Sequence, residues 1–336
     1  MYIKQYLKKN WAAIFKEEVP DNFDCVVLSS CLEDYGNNLV LIFPDRFCYP
    51  KYIMKMSRTK RYGFKIEREY QGLLSVSKNP DLKKYIPFPH KSGTLNGLPF
   101  VIQGGIPGES LHEILRQKGY ISHTKKLIDQ AIDLLVEINT TNVISEVDKN
   151  IETYNVVDAL KNQPELICNA GLSCSELEPF VEQYNTVVDR VFFVHGDFWG
   201  ANILIDPISN KVSGIIDWEF SNSNSRTLPD IMWFVLNLLF AFNFKKIRDG
   251  SFSNIIISSL SIPASIDLIR DCFKRYSSKM GIKDLNCGQL LICTLFEMSF
   301  REMSAYGSSN KMDSECLSLL KFLTANKQIM DAINGH

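Results

Sequence analysis

Apolar positions change their spacing several times along the first hundred residues, and each spacing predicts a different element. Helical spacing over residues 2–17 predicts an amphipathic helix, with apolar side chains at Ile3, Leu7, Trp11, Ile14 and Phe15. Apolar runs between polar turns predict strands at Cys25–Leu28, Leu39–Phe43, Lys51–Ser57 and Leu98–Gln103. A second helix is predicted over residues 60–77. The chain before the last strand is expected to be broken at Pro87, Pro89, Gly93 and Gly97.

Helical spacing dominates the chain after residue 110. It predicts helices at Leu111–Gln117, Lys125–Asn139, Ile266–Lys279, Leu290–Ser304 and Ser314–Ile329. Residues 145–185 are polar and mixed, with shorter helical pieces around Val156–Leu160 and Ser175–Tyr184. The run Ile231–Phe242 is strongly apolar, but its length falls short of the roughly 20 residues that span a bilayer, so a buried helix is expected. Asp230, just before it, is a candidate helix cap.

A short apolar run, Val191–Val194, ends at the tripeptide His195-Gly196-Asp197. This pattern predicts a buried strand that stops at a tight turn, where the Asp197 carboxylate leaves the strand within reach of a substrate. Asp197 is therefore a candidate catalytic residue.

A predicted hairpin follows this turn. Its first strand is Asn202–Ile205 and its second is Val212–Ile216, with turn residues at 206–211. The second strand ends at Asp217, so the hairpin brings Asp217 near Asn202, at the mouth where the preceding turn also lies. Two carboxylates and one amide oxygen are expected to converge there.

Oxygen ligands of this kind suit Mg²⁺, which keeps several waters and binds one or two carboxylates together with substrate phosphates. In phosphoryl transfer by kinases, one Asp accepts the proton of the attacking hydroxyl, while an Asn and a later Asp hold metal. Asp197 fits the first role, and Asn202 and Asp217 fit the other two. Asp, Asn and Gly also favour ordinary turns for local hydrogen-bonding reasons, so a purely structural hairpin is the alternative.

The predicted strand Lys51–Ser57 carries a lysine, Lys55, between apolar neighbours. In the kinase template, the third strand carries a lysine that contacts the nucleotide phosphates and pairs with a glutamate of the next helix. Glu67 and Glu69 lie at similar angular offsets from the apolar face of that helix, so periodicity leaves both open as the partner. A solvent-facing lysine on an edge strand is the alternative interpretation of Lys55.

A glycine-containing loop follows the predicted strand Leu98–Gln103. Main-chain groups from Gly104 to Ile106 could bind the edge of an adenine ring, which needs one donor and one acceptor. An ordinary loop that ends at Ser110 as a helix cap is the alternative, and both interpretations can hold together. The earlier segment Glu33–Asn38, where a phosphate-covering loop is expected, contains one glycine, so the sequence gives such a loop little support.

The stretch from His195 to Glu219 resembles the aminoglycoside phosphotransferase and choline kinase superfamily. The shared pattern is His-Gly-Asp, four residues, Asn, and then an Ile-Asp-Trp-Glu segment at Ile216–Glu219. The resemblance implies a bilobal, protein-kinase-like α+β fold. Its small antiparallel-sheet lobe, residues 1–104, would bind nucleotide, and its mainly helical lobe, residues 105–336, would hold the catalytic loop and the acceptor site. Eukaryotic protein kinases carry His-Arg-Asp and Asp-Phe-Gly instead.

The resemblance also implies a reaction: transfer of the ATP γ-phosphoryl group to a hydroxyl group of a small molecule, with Mg²⁺ as cofactor. His195 would orient the catalytic loop, and an Asp at the position of Asp230 would brace it. The usual Arg-Glu pair of the superfamily favours Glu69 as the partner of Lys55. Amino sugars, other sugars and choline-like alcohols remain open as acceptors, as do GTP in place of ATP and the oligomeric state. A non-catalytic nucleotide-binding regulatory protein and a protein kinase are the alternative functions.

Composition and net charge indicate the class of protein, its partners and the compartment in which this reaction is expected. Of the 336 residues, 45% are hydrophobic and 22% are charged, close to the globular average. The net charge of -1 argues against general affinity for nucleic acid or an anionic membrane. The first helix is expected to pack on the first lobe, and a membrane-surface role is the alternative. The 9 cysteines include no Cys-x-x-Cys pair, and residues 1–18 lack the apolar run and the small-residue cleavage site that are typical of a signal peptide. We therefore expect reduced thiols and a cytoplasmic enzyme.

Overall fold

The structure, a computed structural model, describes residues 2–29, 36–44, 49–118, 122–141, 192–225, 228–244, 250–282, 286–306 and 315–335. Its first part is a five-stranded antiparallel sheet in the order β1-β2-β3-β5-β4. These strands are β1 (Phe23–Ser29), β2 (Asn37–Pro44), β3 (Tyr52–Ser57), β4 (Pro89–Leu95) and β5 (Leu98–Gly104). The four strands predicted from apolar runs are therefore present.

Helix α1 (Tyr2–Phe15) packs its apolar side against this sheet. Leu7 and Trp11 are almost fully buried and share an apolar core with Val40 of β2 and Phe100 of β5. Alternate residues along each strand supply this core, because successive side chains of a strand point to opposite faces. The predicted first helix and its packing on the first lobe are confirmed.

Strand β4 has no counterpart among the predicted elements. The break expected at Gly97 is present as a turn, whereas Pro89 and Gly93, also expected to break the chain, lie within β4. β4 and β5 form a hairpin whose turn residues, Asn96 and Gly97, both have positive φ, 53° and 77°. A two-residue hairpin turn that matches the strand twist requires two left-handed residues, and Asn-Gly is the preferred pair. β4 is mostly polar and lies at the sheet edge, so it lacks the apolar alternation by which strands are recognised.

Helix α2 (Gly63–Val76) corresponds to the second predicted helix and lies on the other face of the sheet. There Glu69 contacts Lys55 of β3. Near the end of the helix, Leu73 and Val76 belong to a second apolar core, which continues into the helical part of the chain. Helix α2 therefore contacts both the sheet and the second core. The predicted boundary between the two lobes, after residue 104, stays a prediction.

The rest of the described chain is mainly helical. Its helices are α3 (Leu111–Lys118), α4 (Ser122–Thr140), α5 (Pro229–Asn243), α6 (Phe252–Leu260), α7 (Pro263–Met280), α8 (Cys287–Tyr306), α9 (Glu315–Ala325) and α10 (Lys327–Asn334). Helix α5 is largely buried, as expected from its apolar sequence. Helix α6 was not predicted, and the single helix predicted at Ser314–Ile329 is two, α9 and α10, which meet at Asn326. The helical pieces predicted within residues 145–185 lie outside the described residues.

Among the described helices, none is by itself long and apolar enough to cross a membrane. α6 and α7 reach the required length and hydropathy only as a pair, and they are bent by 98° at their junction. The cysteines that the structure describes are free thiols, as expected: Cys25, Cys272, Cys287, Cys293 and Cys316.

Two small sheets carry the polar stretch after residue 191. One consists of β7 (Phe192–Val194) and β10 (Asn222–Ser225), and the other of β6 (Glu109–Ser110), β8 (Ile203–Asp206) and β9 (Lys211–Ile215). The antiparallel hairpin β8–β9 confirms the predicted one. The strand β10 was not among the predicted elements, because its serines and asparagines have a turn-like composition, yet it pairs with β7. A small antiparallel sheet followed by a mainly helical part makes the fold α+β, as expected.

Candidate active site

A cleft of about 420 Å³ lies between the five-stranded sheet and the hairpin β8–β9. Five of the predicted site residues line it, namely Lys55, Gly104, Ile106, Asp197 and Asp217. The other three are buried and contact members of this first group: Glu69, His195 and Asn202. Residues that are more than 160 positions apart in the sequence, such as Lys55 and Asp217, therefore meet at one cavity.

Two N–H donors hold the Asp197 carboxylate. The indole Nε1–H of Trp233 donates to Oδ1 at 2.9 Å, and the amide Nδ2–H of Asn202 donates to Oδ2 at 3.0 Å and to the Asp197 carbonyl at 2.9 Å. Hydrogen bonds to the ionised form of a carboxylate favour that form. Trp233 was not among the residues predicted from sequence, although a tryptophan near the start of an apolar helix carries an indole N–H that needs a partner.

The ring of His195 is fully buried and ties the catalytic turn to the second strand of the hairpin. Its Nδ1 accepts the backbone N–H of Asp197 at 3.2 Å, and its Nε2 lies 3.1 Å from the carbonyl oxygen of Ile216. Both ring nitrogens are thus used within the protein, and the loop-orienting role of His195 stays a prediction.

The carboxylate of Asp230 accepts the backbone N–H groups of His195 and Gly196, both at 2.8 Å. It does not cap helix α5, whose N-cap is Leu228, so the cap interpretation is wrong and the bracing contact is present. Gly196 has φ +82°, and a Cβ there would clash with the carbonyl of Phe220, so only glycine fits this turn.

Lys55 is shared between two carboxylates. Its Nζ lies 2.6 Å from Oε1 of Glu69 and 2.8 Å from Oδ1 of Asp217, and its side chain is 10% exposed. The edge-strand interpretation is therefore wrong, because β3 is a central strand and Lys55 faces the cleft. Glu67 instead accepts a hydrogen bond from Gln71 on the exposed side of α2, so Glu69 is the partner of Lys55.

Burial and charge set the protonation of this trio. Burial alone would lower the pKa of Lys55, but Asp217 and Glu69 outweigh it and raise the pKa above its ordinary value. Burial likewise acts to raise the pKa of Asp217, yet the nearby Lys55 charge leaves it below its ordinary value. For Glu69, burial dominates and raises the pKa to about 7. Asp217 therefore carries the firmly ionised carboxylate that faces the cleft.

A second buried ion pair lies beside the trio. Nζ of Lys65 is 2.6 Å from Oε1 of Glu219, and Nδ2 of Asn37 donates to Oε2 of Glu219 at 2.8 Å. All three side chains line the cleft. The sequence analysis did not identify Lys65, although its position four residues before Glu69 places both on one face of α2.

Asn202 and Asp217 offer oxygens that suit a hard cation. Because Nδ2 of Asn202 is donated to Asp197, the amide oxygen Oδ1 remains as its acceptor. The carboxylate of Asp217 is 37% exposed, and the residue has φ +69°, an uncommon value for a residue with a side chain. The hairpin joins the two through the backbone, since Ile216 N donates to Asn202 O at 2.9 Å. A carboxylate that lines the cleft and an amide oxygen on the adjacent strand are ligands of the kind that Mg²⁺ takes.

Two residues of the bend after β5, Gly104 and Ile106, line the cleft. The N–H groups of Gly104 and Gly105 are already donated to the carbonyls of Phe88 and Lys51, at 2.9 and 2.8 Å. Within the described residues, the N–H of Ile106 makes no such bond, which leaves it as a donor. The Ser110 hydroxyl accepts Glu113 N–H at the start of α3, so the cap interpretation of this loop also holds.

Gln103, the residue before this bend, is 1% exposed and lines the cleft. Its Oε1 is buried and has no hydrogen-bond partner among the described residues. An unpaired buried acceptor costs stability, which makes it a candidate contact for a ligand. Gly36 and Asn37 also line the cleft, while residues 33–35 of the segment expected to cover phosphates lie outside the described residues.

A sequence model described as the phosphotransferase enzyme family matches residues 50–227, which is over half of the chain. The match covers every predicted site residue from Lys55 to Asp217. No curated protein sequence matches the chain significantly.

Solved structures resemble the chain over nearly its whole length. The GDP complex of aminoglycoside 2'-phosphotransferase-IIIa has a TM-score of 0.55 at 16% identity and covers 96% of this chain and 99% of its own. Ethanolamine kinase of Plasmodium vivax has a TM-score of 0.54 at 14% identity and covers 98% and 89%. An aminoglycoside phosphotransferase of Streptomyces rimosus, solved with ADP and streptomycin, has a TM-score of 0.51 at 11% identity and covers 90% and 99%. At these identities the likeness concerns the fold, and it confirms the bilobal kinase-like architecture.

Proposed function

Since the chain belongs to the phosphotransferase enzyme family, we propose that it transfers the γ-phosphoryl group of ATP to a hydroxyl group of a small molecule. The sequence-based prediction of a small-molecule kinase is confirmed at the level of the family, whereas the nucleotide, the metal and the acceptor are our proposal. The observation that carries it is that Asp197, Asp217 and Lys55 line one cleft. A candidate base, a metal ligand and a phosphate-binding cation then surround a single reaction centre.

Asp197 is the proposed base. It would accept the proton of the acceptor hydroxyl as that oxygen attacks phosphorus. The hydrogen bonds from Trp233 and Asn202 fix the direction of its carboxylate and favour the ionised form, so they support this role. A positioned base contributes on the order of 100-fold to 10,000-fold to the rate. His195 is proposed as a positioning residue, because both of its ring nitrogens are used within the protein.

Asn202 and Asp217 are the proposed ligands of Mg²⁺, which would neutralise charge on the nucleotide phosphates when bound. Lys55 would contact the same phosphates. Its two carboxylate partners, Glu69 and Asp217, keep its ammonium group at the cleft wall, and this ordering supports the role.

We propose ATP as the nucleotide because of the bend after β5, residues 104–106. Adenine presents a donor amine next to an acceptor ring nitrogen, and these match the Gly104 carbonyl and the Ile106 N–H. The unpaired Oε1 of Gln103 would accept from the same amine, whereas guanine presents a carbonyl oxygen there. Two structures of similar fold were solved with different nucleotides, one with ADP and one with GDP, so the fold alone does not fix the base.

The test is a measurement of ADP release with amino sugars, other sugars and choline-like amino alcohols as acceptors, with Asp197→Asn as the matched control. Our proposal predicts Mg²⁺-dependent turnover with one of these classes and its loss in the variant. A protein acceptor is included in the panel. Phosphate found on protein and on none of the small molecules would contradict the proposal and favour a protein kinase.

A further inference from the structure

The carboxylate of Glu219 contacts two elements across the cleft. Its Oε1 lies 2.6 Å from Nζ of Lys65 in helix α2, and its Oε2 accepts the Nδ2–H of Asn37 in strand β2 at 2.8 Å. Glu219 itself follows the hairpin β8–β9, 182 positions after Asn37. These three residues, which we call the clasp, therefore join the five-stranded sheet and helix α2 to the hairpin.

The charged part of the clasp is deeply buried. The side chains of Lys65 and Glu219 are 3% and 10% exposed, and charges buried to this extent are rarely found without a partner of opposite charge. Nζ of Lys65 also lies 5.3 Å from the centre of the Phe220 ring. Because hydrogen bonds to a charged group are stronger than neutral ones, separating the members of the clasp has a substantial energetic cost.

A second contact crosses the cleft beside the clasp. Nζ of Lys55 lies 2.8 Å from Oδ1 of Asp217. In the proposed function both groups gain new partners, the nucleotide phosphates for Lys55 and Mg²⁺ for Asp217, and these compete with the contact between them. No residue of the clasp is assigned a contact with nucleotide or metal in that function. The clasp can therefore span the cleft both before and after nucleotide binds.

The phosphates have to reach an ammonium group that is almost enclosed. Glu69 and Asp217 contact Nζ of Lys55 at 2.6 and 2.8 Å, and only 10% of the Lys55 side chain is exposed. The sheet and the hairpin must therefore move apart before a phosphate group can come alongside this ammonium. That movement breaks the clasp, and closure of the cleft around the nucleotide restores it.

We propose that the clasp controls the rate at which nucleotide enters and leaves the cleft. This inference rests on the proposed function, because it concerns the nucleotide of that reaction. Since the clasp is intact in the free and in the nucleotide-bound protein and is broken only during passage, it slows association and dissociation alike. The ratio of the two rate constants, which is the Kd, stays unchanged. A residue that contacted the nucleotide would change the Kd instead.

The test measures the association and dissociation rate constants of N-methylanthraniloyl-ADP in the presence of Mg²⁺ by stopped-flow fluorescence. Asn37→Ala should raise both at least about tenfold, because one hydrogen bond to a carboxylate is lost, while the Kd changes by less than about twofold. Asn79→Ala is the matched control. Its amide also joins distant segments, through Thr141 at 3.1 Å, but it does not line the cleft, so the wild-type rates are expected.

The double variant Lys65→Met/Glu219→Leu separates the clasp from the stability of the fold. Replacing both members of a buried ion pair by apolar residues is often neutral or stabilising. We expect thermal unfolding close to that of the wild type, with both rate constants raised at least about tenfold. Unchanged rates in folded Asn37→Ala and in the folded double variant, or a weaker Kd with an unchanged association rate, would overturn the role of the clasp. Absence of Mg²⁺-dependent ADP binding by wild-type protein would instead overturn the proposed function.

Discussion

The carboxylate of Asp230 and the backbone of His195 are joined by a buried hydrogen bond of 2.8 Å that spans 35 residues of the chain. The second oxygen of the same carboxylate accepts the N–H of Gly196. Helix α5 therefore fixes the turn that directs Asp197 towards the cleft. Because the bonds involve a charged acceptor and are buried, they hold the turn more firmly than neutral bonds would.

Asp230→Asn should therefore damage both stability and catalysis. The amide can accept only one of the two N–H groups and places its own donors against the other. Since a hydrogen bond to a charged group contributes about 1.5–3 kcal/mol, we expect the free energy of unfolding to fall by about that amount. Urea unfolding measures the change. The bracing role would be contradicted if stability and kcat both stayed at wild-type values.

Trp233→Phe should lower kcat and leave the affinity for nucleotide unchanged. The variant keeps an aromatic ring beside Phe252 but loses the indole N–H that orients Oδ1 of Asp197. One charge-assisted hydrogen bond corresponds to roughly a 10-fold to 100-fold loss in turnover.

Phe240→Leu is the control for this variant, because it removes a ring of the same aromatic cluster that makes no hydrogen bond to Asp197. Its kcat should stay close to that of the wild type. Equal losses in the two variants would mean that the aromatic packing matters and the indole N–H does not.

Gln103→Leu should reduce the preference for ATP over GTP by about tenfold, because the variant removes an acceptor for the adenine amine. The same change should leave the nucleotide-free protein as stable or more stable, since it eliminates a buried, unpaired oxygen. Competition between the two nucleotides in a binding assay measures the first effect. An unchanged ATP/GTP ratio would exclude Gln103 from base recognition.

Glu69→Gln should change how stability depends on pH. The folded-state pKa of Glu69, about 7, lies above the unfolded value of about 4.3, so its contribution is favourable at low pH and is lost as pH rises through the folded pKa. Wild-type protein should therefore lose stability relative to Glu69→Gln between about pH 4 and pH 7. Parallel unfolding curves at each pH test this. A constant difference between the two proteins would contradict the shift.

Several site residues could be identified from sequence because each stands at a recognisable place relative to an apolar run or a predicted hairpin. Asp197 follows a buried strand, Asn202 and Asp217 lie at the ends of a hairpin, and Lys55 interrupts an apolar run. Strand β4 escaped prediction because its edge position permits polar residues on both faces. The second predicted helix was found because its apolar face has regular spacing.

Contacts between elements that are far apart in the chain could not be predicted from the sequence. Trp233 reaches Asp197 from a helix 36 residues later, and Asn37 reaches Glu219 across 182 residues. Neither contact leaves a spacing signal, because it depends on how elements pack rather than on their own periodicity. The same reason explains Asp230, whose position before an apolar helix indicated a cap, whereas the fold uses it as a brace.

The most direct test of the central claim is the steady-state rate of phosphoryl transfer by the Asp197→Asn variant, measured beside its affinity for Mg²⁺-nucleotide. The account predicts a fall in kcat on the order of 100-fold to 10,000-fold, because an amide cannot take up the hydroxyl proton, with nucleotide affinity largely retained. A purified, folded Asp197→Asn protein with near-normal turnover would contradict it.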